Sequence, residues 1–475
     1  MSPPNPAGRP VTYPPWVRIA GAVVLVGGSS ALALAVPALG MGLLLLCAAA
    51  IFVLRLRGPL RTPALLGAVA PLGLYFSTGI GSVDLPAVVP LSVLLLLLSE
   101  LGPRVSVPRL PRDFLGACLL FAAGLLLGML RGPNGREGVR TLAILVWLLC
   151  VGRLASLWSL QGRLNALLRA YSVVAAGFGI VNLVFFIFPS LEEAYFGSWI
   201  SHVFVEPDSV RRLLTGDELN NALSPDKAAT LYIDANVTAM FFGTEAWSAY
   251  GSWRASPWRP LLVAACVLGA IGTVSRGGAL GAMASLFAWA VLQTHRGAFL
   301  RVAVRVTALI LLIGAITIGV AEFQSRGFTR FAWATLSTDP RFLLWGAAVN
   351  LGMVHPVLGS GFGAWESYWP PIANVVNLRP SFPPHNVYLF LWIIGGVAAT
   401  LGFLWIALSA LRRVWHLVVT LPALESYQIL ATGAIVVWCW TQANFENFFF
   451  LDYRIGFLLA VLFGGVVARR ETLTQ

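Results

Sequence analysis

The chain has 475 residues, of which 58% are hydrophobic and only 11% charged, with a mean hydropathy of +0.79. That much apolar surface excludes an ordinary soluble globular protein, and the continuous apolar runs exclude a transmembrane β-barrel, whose strands alternate. The net charge of +12 is almost all arginine, since Lys227 is the only lysine. In so hydrophobic a chain it argues against nucleic acid as a partner and for basic loops that orient helices and attract anionic lipid.

In chain order, residues 1–16 are Pro-rich and read as a disordered cytoplasmic N-terminus, with no cleavable signal peptide before the first long helix. Residues 17–320 carry helices expected over 19–36, 38–54, 64–80, 86–99, 114–130, 141–158, 171–188, 233–250, 260–275, 279–293 and 303–320. Segment 233–250 is weak, because Asp234, Asn236 and Glu245 fall in it. An acidic outer loop, 189–232, interrupts this region; it includes Glu192, Glu193, Glu206, Asp208, Asp217 and Glu218. A large periplasmic loop or cap follows at 321–386, with an amphipathic helix expected over 328–354. Residues 387–468 hold helices over 387–410, 428–446 and 453–468, and 469–475 form a cytoplasmic tail. The expected fold is therefore all-α, a polytopic transmembrane bundle of about 12–14 helices. The five cysteines all lie inside apolar runs, without CxxC spacing, and read as small buried hydrophobes.

Arginines in alternate short loops set the orientation. Arg55, Arg57 and Arg61, then Arg104, Arg109 and Arg112, and later Arg412, Arg413, Arg469 and Arg470 fall on one side. That gives N-in and C-in. Three places break the rule. Loop 131–140 holds Arg131, Arg136 and Arg140; Arg276 splits an apolar stretch; the 321–386 loop carries Arg326, Arg330, Arg341 and Arg379. Arginine kept on the disfavoured side has a local task, either an ion pair with the acidic loop or an anion to bind.

Ser275-Arg276-Gly277-Gly278 is the sharpest of these breaks. Its two glycines are expected to let the backbone break and approach a ligand closely. Arg341 follows Asp339-Pro340, a capping pair, so it projects from the first turn of a helix, where the helix end and the guanidinium together make an anion site. His355-Pro356 before Gly359-Ser360-Gly361 reads as a loop. Pro383-Pro384-His385-Asn386-Val387-Tyr388 lies where the large loop meets the next membrane helix, and a histidine there suits a general base for a hydroxyl. Asn236 either binds a sugar hydroxyl or caps a helix. No Walker loop, GxSxG, HExxH or DxD is present, and no metal or other cofactor is expected.

Taken together, the Ser-Arg-Gly-Gly break, the stretch from Arg341 through Trp345 to Gly361, and Pro384 to Leu389 resemble the O-antigen ligase/polymerase superfamily of bacterial membrane glycosyltransferases, best over 233–410. The resemblance implies a GT-C-like, inverting, metal-independent enzyme of the inner membrane with its active site facing the periplasm. Such enzymes take a glycan from an undecaprenyl-pyrophosphate carrier. The ligase branch passes it to lipid A–core, the polymerase branch to a second carrier-linked glycan. By that resemblance His385 is the catalytic histidine. Arg276 and Arg341 bind pyrophosphate, with Arg136 or Arg140 as a further basic residue, and Asn386, Tyr388 and Asn236 are possible substrate contacts. Ligase is the leading expectation and polymerase the alternative. A transporter or flippase of lipid-linked sugars is the rival of a different class; it should show paired broken helices in two related halves, which this chain does not suggest.

Overall fold

A computed structural model describes residues 58–77, 84–100, 110–215, 227–230, 232, 234–294, 341–368, 383–422, 426–446 and 452–474. The expected helices 19–36, 38–54 and 303–320, the 1–16 segment, Asp217, Glu218, Asp339 and loop parts 321–340 and 369–382 lie outside the described residues.

The described chain is an all-α membrane protein with one small addition. Helix α1 (Arg61–Leu72) ends at Gly73, where φ is +79, and Leu74 is also left-handed, at φ 47. The apolar run expected as a helix to residue 80 therefore turns into a short strand, β1 (Tyr75–Ser77), paired antiparallel with β2 (Asp84–Pro86). Apolar content alone does not reveal such a left-handed break. Helices α2 (Val88–Glu100), α3 (Arg112–Arg131), α4 (Gly135–Leu160) and α5 (Leu164–Ile187) follow. The expected outer loop 189–232 folds in part into three short helices, α6 (Pro189–Phe196), α7 (Ser201–Phe204) and α8 (Pro207–Thr215). Then come α9 (Ala235–Ser252), α10 (Arg259–Gly272), α11 (Arg276–Thr294), α12 (Arg341–Val354), α13 (Val387–Thr420), α14 (Tyr427–Gln442) and α15 (Tyr453–Thr474). Of these, α3, α4, α5 and α13 are long and apolar enough to cross a membrane.

The weak segment becomes the centre of the bundle. Every residue of α9 except Val237 and Tyr250 is buried, against α5, α10, α11 and α14. Its polar side chains face other helices: Trp247 donates to Ser285 Oγ at 3.1 Å, and Ser248 meets Ser172 at 3.4 Å. Low hydropathy there marks helix–helix contact, where polar groups bond across the interface and touch no lipid.

Helix α13 is broken at Gly395-Gly396, where Gly396 has φ +63. The loop after α12 fills the break. The Ser360 and Gly361 N–H groups donate to the carbonyls of Ile393 (2.6 Å) and Ile394 (3.1 Å), and Val397 N–H donates to Val357 O at 3.2 Å. Phe362 N–H donates onward to Gly128 O at 3.1 Å, and Asn134 N–H to Phe362 O at 2.9 Å. Residues 355–363 thus restore hydrogen bonds lost at the kink and join α13 to the end of α3 and the start of α4. The glycines of that stretch serve the backbone, and His355 is an exposed loop residue.

A second anchor lies at the head of α15. Arg454 is 1% exposed, donates to Pro71 O at 2.9 Å and also to Phe204 O, and stands over the Tyr232 ring. Asp452 accepts the Tyr232 hydroxyl at 2.9 Å. The buried charge is well supplied with acceptors, and it pins the approach to α9 against α1, α7 and α15.

Candidate active site

Four helices begin at one place. Asp234 caps α9 by accepting the Asn236 N–H at 2.7 Å. Ser275 lies just before α11, accepts the Gly278 N–H at 3.0 Å and donates to Asn236 Oδ1 at 2.7 Å, tying the two helix starts together. Arg276 is the first residue of α11 and Arg341 the first of α12. Asn386 caps α13 through Leu389 N–H at 3.1 Å. A side-chain oxygen at each cap satisfies an N–H that the helix leaves unpaired, which is why these residue types sit at these positions.

The break at 272–276 is real, but its glycines act otherwise than expected. The left-handed residue is Val274, with φ 48. Gly277 and Gly278 already belong to α11, and a Cβ on Gly278 would stand 2.7 Å from Ala239 Cβ of α9. Their small size lets α11 close against α9 and the Phe445 loop.

His385 is also left-handed, at φ 48, and is only 6% exposed. Its neighbours hold it there. Trp345 Nε1 of α12 donates to Pro384 O at 3.0 Å, and Val387 N–H donates to Ala443 O, just past α14, at 2.8 Å. Possible ligand atoms of Asp234, His385 and Glu446 all lie within 4.8 Å of one another. A non-glycine residue kept in this conformation at a polar cluster is a common mark of a functional site.

Electrostatics complete the cluster. Burial pushes the Lys227 ammonium down; Asp234 and Glu446 oppose this, whereas Arg341 and Arg276 add to it. Burial pushes the fully enclosed Glu446 carboxyl well up, and Asp234 adds to this, against Arg341, Asn236 and Lys227. Lys227, Arg276 and Arg341 thus share one cluster with the Asp234 and Glu446 carboxyls, with three basic side chains to two acidic ones. The positive ends of α9, α11, α12 and α13 add to it. Asp234, His385 and Glu446 have the spacing to hold a cation, and Lys227 and Arg341 already lie beside the two carboxyls. An apolar cavity of about 260 Å³ runs from Ser275 and Gly278, between α9, α10, α11 and α14, to Tyr250 and Trp289.

The structure thus gathers Arg276, Arg341, His385 and Asn236 from the sequence expectations. Asn386 is nearby as a helix cap. Tyr388 donates its hydroxyl to Trp440 O at 2.6 Å, a packing bond between α13 and α14. Arg136 and Arg140 lie in the first turns of α4, Arg136 exposed and Arg140 paired with Glu206 at 3.0 Å. Sequence reasoning missed Lys227 and Glu446. The one lysine in an arginine-rich chain was a signal for the first, and an acid at the end of an apolar run for the second.

Residues 261–404 match a family model described as O-antigen ligase. No curated protein matches the chain, and no solved structure does. The matched stretch contains Arg276, Arg341 and His385, whereas Lys227, Asp234 and Glu446 reach the same cluster from outside it. Over residues 261–404, less than half of its length, this membrane protein is therefore similar to the O-antigen ligase family, which supports the O-antigen ligase/polymerase superfamily.

Proposed function

We propose that the protein is a membrane glycosyltransferase that moves a glycan from an undecaprenyl-pyrophosphate carrier to an acceptor hydroxyl on the periplasmic side of the bacterial inner membrane, the ligase reaction onto lipid A–core being the leading form. The observation that carries this reading is the meeting of four helix N-termini and three cationic side chains around His385. Such a place binds an anion through backbone N–H groups and fixed positive charge.

In the reaction, the bond between the anomeric carbon and the pyrophosphate oxygen breaks, and its electrons leave on the pyrophosphate. Arg276 and Arg341 take up that charge with planar forks that bind phosphate oxygens in pairs. Lys227 adds a point charge beside them. His385 takes the proton of the acceptor hydroxyl, whose oxygen attacks the anomeric carbon from the face opposite the leaving group, so the configuration inverts. Asp234, beside the ring, stabilises the imidazolium so formed. The step needs no metal, because charged side chains preorganised away from water supply the electrostatic stabilisation. The apolar cavity beginning at Ser275 gives the carrier's isoprenoid chain a path away from the charged site.

The test supplies purified enzyme with carrier-linked glycan and offers either lipid A–core or a second carrier-linked unit. A glycan joined to lipid A–core establishes ligase, and a lengthened carrier-linked glycan establishes polymerase. No transfer to either acceptor, with the donor bound, refutes both.

A further inference from the structure

A second cavity, this one polar, opens towards the other end of α13. It has a volume of about 370 Å³ and is lined by Asp113, Arg412, Arg413, His416, Leu417 and Val466. Arg413 is 7% exposed and its Nη2 lies 3.0 Å from Asp113 Oδ1, so one guanidinium is fixed by the fold. Arg412 and His416 are exposed at the mouth. Two arginines and a histidine thus share a cavity with one carboxylate, at the N-terminal turn of α3, whose dipole adds positive potential.

The depth of this cavity in the membrane follows from α13 itself, a helix long and apolar enough to cross. At about 1.5 Å per residue, the two segments on either side of the Gly395-Gly396 break together carry the chain roughly 37 Å from Val387 to Arg412, more than the hydrocarbon thickness of about 30 Å. The cavity is therefore at the membrane face opposite His385. Beside it the surface is apolar: Trp405 lies against Gly116 of α3, and Leu408, Leu115 and Leu119 are exposed. A phosphate in the cavity would have acyl chains lying along these residues, as a lipid does and a free phosphate does not.

We propose that the Asp113–Arg412–Arg413–His416 cavity binds the phosphate headgroup of an anionic membrane lipid in the leaflet opposite the His385 site. Basic pockets between membrane helices suit such headgroups, and the guanidinium fork matches two phosphate oxygens.

The test uses the full chain purified in detergent and the double variant Arg412→Gln/His416→Gln, which leaves the Arg413–Asp113 pair in place. Phosphatidylglycerol, phosphatidylcholine and inorganic phosphate are titrated separately, with bound lipid counted by native mass spectrometry and stability read as melting temperature. The expected result is that only phosphatidylglycerol binds and raises the melting temperature of the wild type, and that the variant binds it roughly five- to tenfold more weakly. Equal retention of phosphatidylglycerol by wild type and variant would overturn the proposal. An equal rise with inorganic phosphate would assign the cavity to free phosphate and overturn the lipid assignment. An equal rise with phosphatidylcholine would reduce it to unspecific acyl contact.

Discussion

The left-handed backbone of His385 separates the role of its ring from the demands of its position. A non-glycine residue at φ 48 carries a conformational cost of about 1–3 kcal/mol, which glycine avoids. His385→Gly and His385→Ala both remove the same buried imidazole, so the loss of packing is common to them. They differ in backbone freedom. Glycine relieves the left-handed cost and loses some of that gain to the greater entropy of the unfolded chain, leaving it about 1 kcal/mol more stable than alanine. In a chain of this size that difference raises the melting temperature by about 1–2 °C. Both variants should lose transfer activity by about 10²–10⁴-fold, the usual contribution of a positioned base. The assay pairs thermal melting in detergent with transfer of a labelled carrier-linked glycan. Wild-type turnover in either variant would refute the role of the ring, and an alanine variant as stable as the glycine one would refute the backbone argument.

Three further outcomes are expected. Arg276→Lys keeps the charge but loses the fork, and transfer should fall by about 10²-fold; unchanged turnover would mean that Arg276 serves only to hold the helix end at the membrane surface. Burial pushes the Glu446 carboxyl up, so the folded protein holds this proton more tightly than the unfolded chain does. Its stabilising contribution is present below the ordinary carboxylate range and is lost as pH rises through the raised folded value. Glu446→Gln should therefore melt with a shallower loss of stability on raising the pH than the wild type, and parallel melting curves would refute the assignment. Transfer should survive EDTA; activity lost to EDTA and restored by a divalent cation would instead assign an ion to Asp234, His385 and Glu446.

What the sequence discloses depends on where a residue's partners lie. Arg276, Arg341 and His385 stand out because each lies at or just before the start of a helix at the edge of apolar sequence, where a charge or an imidazole contrasts with its neighbours. Lys227 and Glu446 join the same cluster through tertiary contact alone, one from the approach to α9 and the other from the turn after α14. Segment 233–250 reads as weak because hydropathy scores Asp234, Asn236 and Glu245 alike whether they meet lipid or another helix; Asn236 and Glu245 are buried in the bundle and Asp234 caps its helix. Conversely, Gly277 and Gly278 read as a close approach to a ligand, because a glycine reveals that something lies close but not what it is. In the structure it is Phe445 and Ala239.

The loop that fills the α13 kink has a mechanical consequence. Helix α12 is fastened to α13 at both ends, by Trp345 to Pro384 near its start and by Ser360 and Gly361 to Ile393 and Ile394 beyond its finish. Arg341 and His385 therefore ride on a single lever: a shift of one drags the other. On the proposed mechanism this keeps leaving-group contact and proton acceptor at a set separation, and misplacing such groups by about 1 Å can cost 10²-fold in rate. Residues 355–363 act as the brace that holds that span.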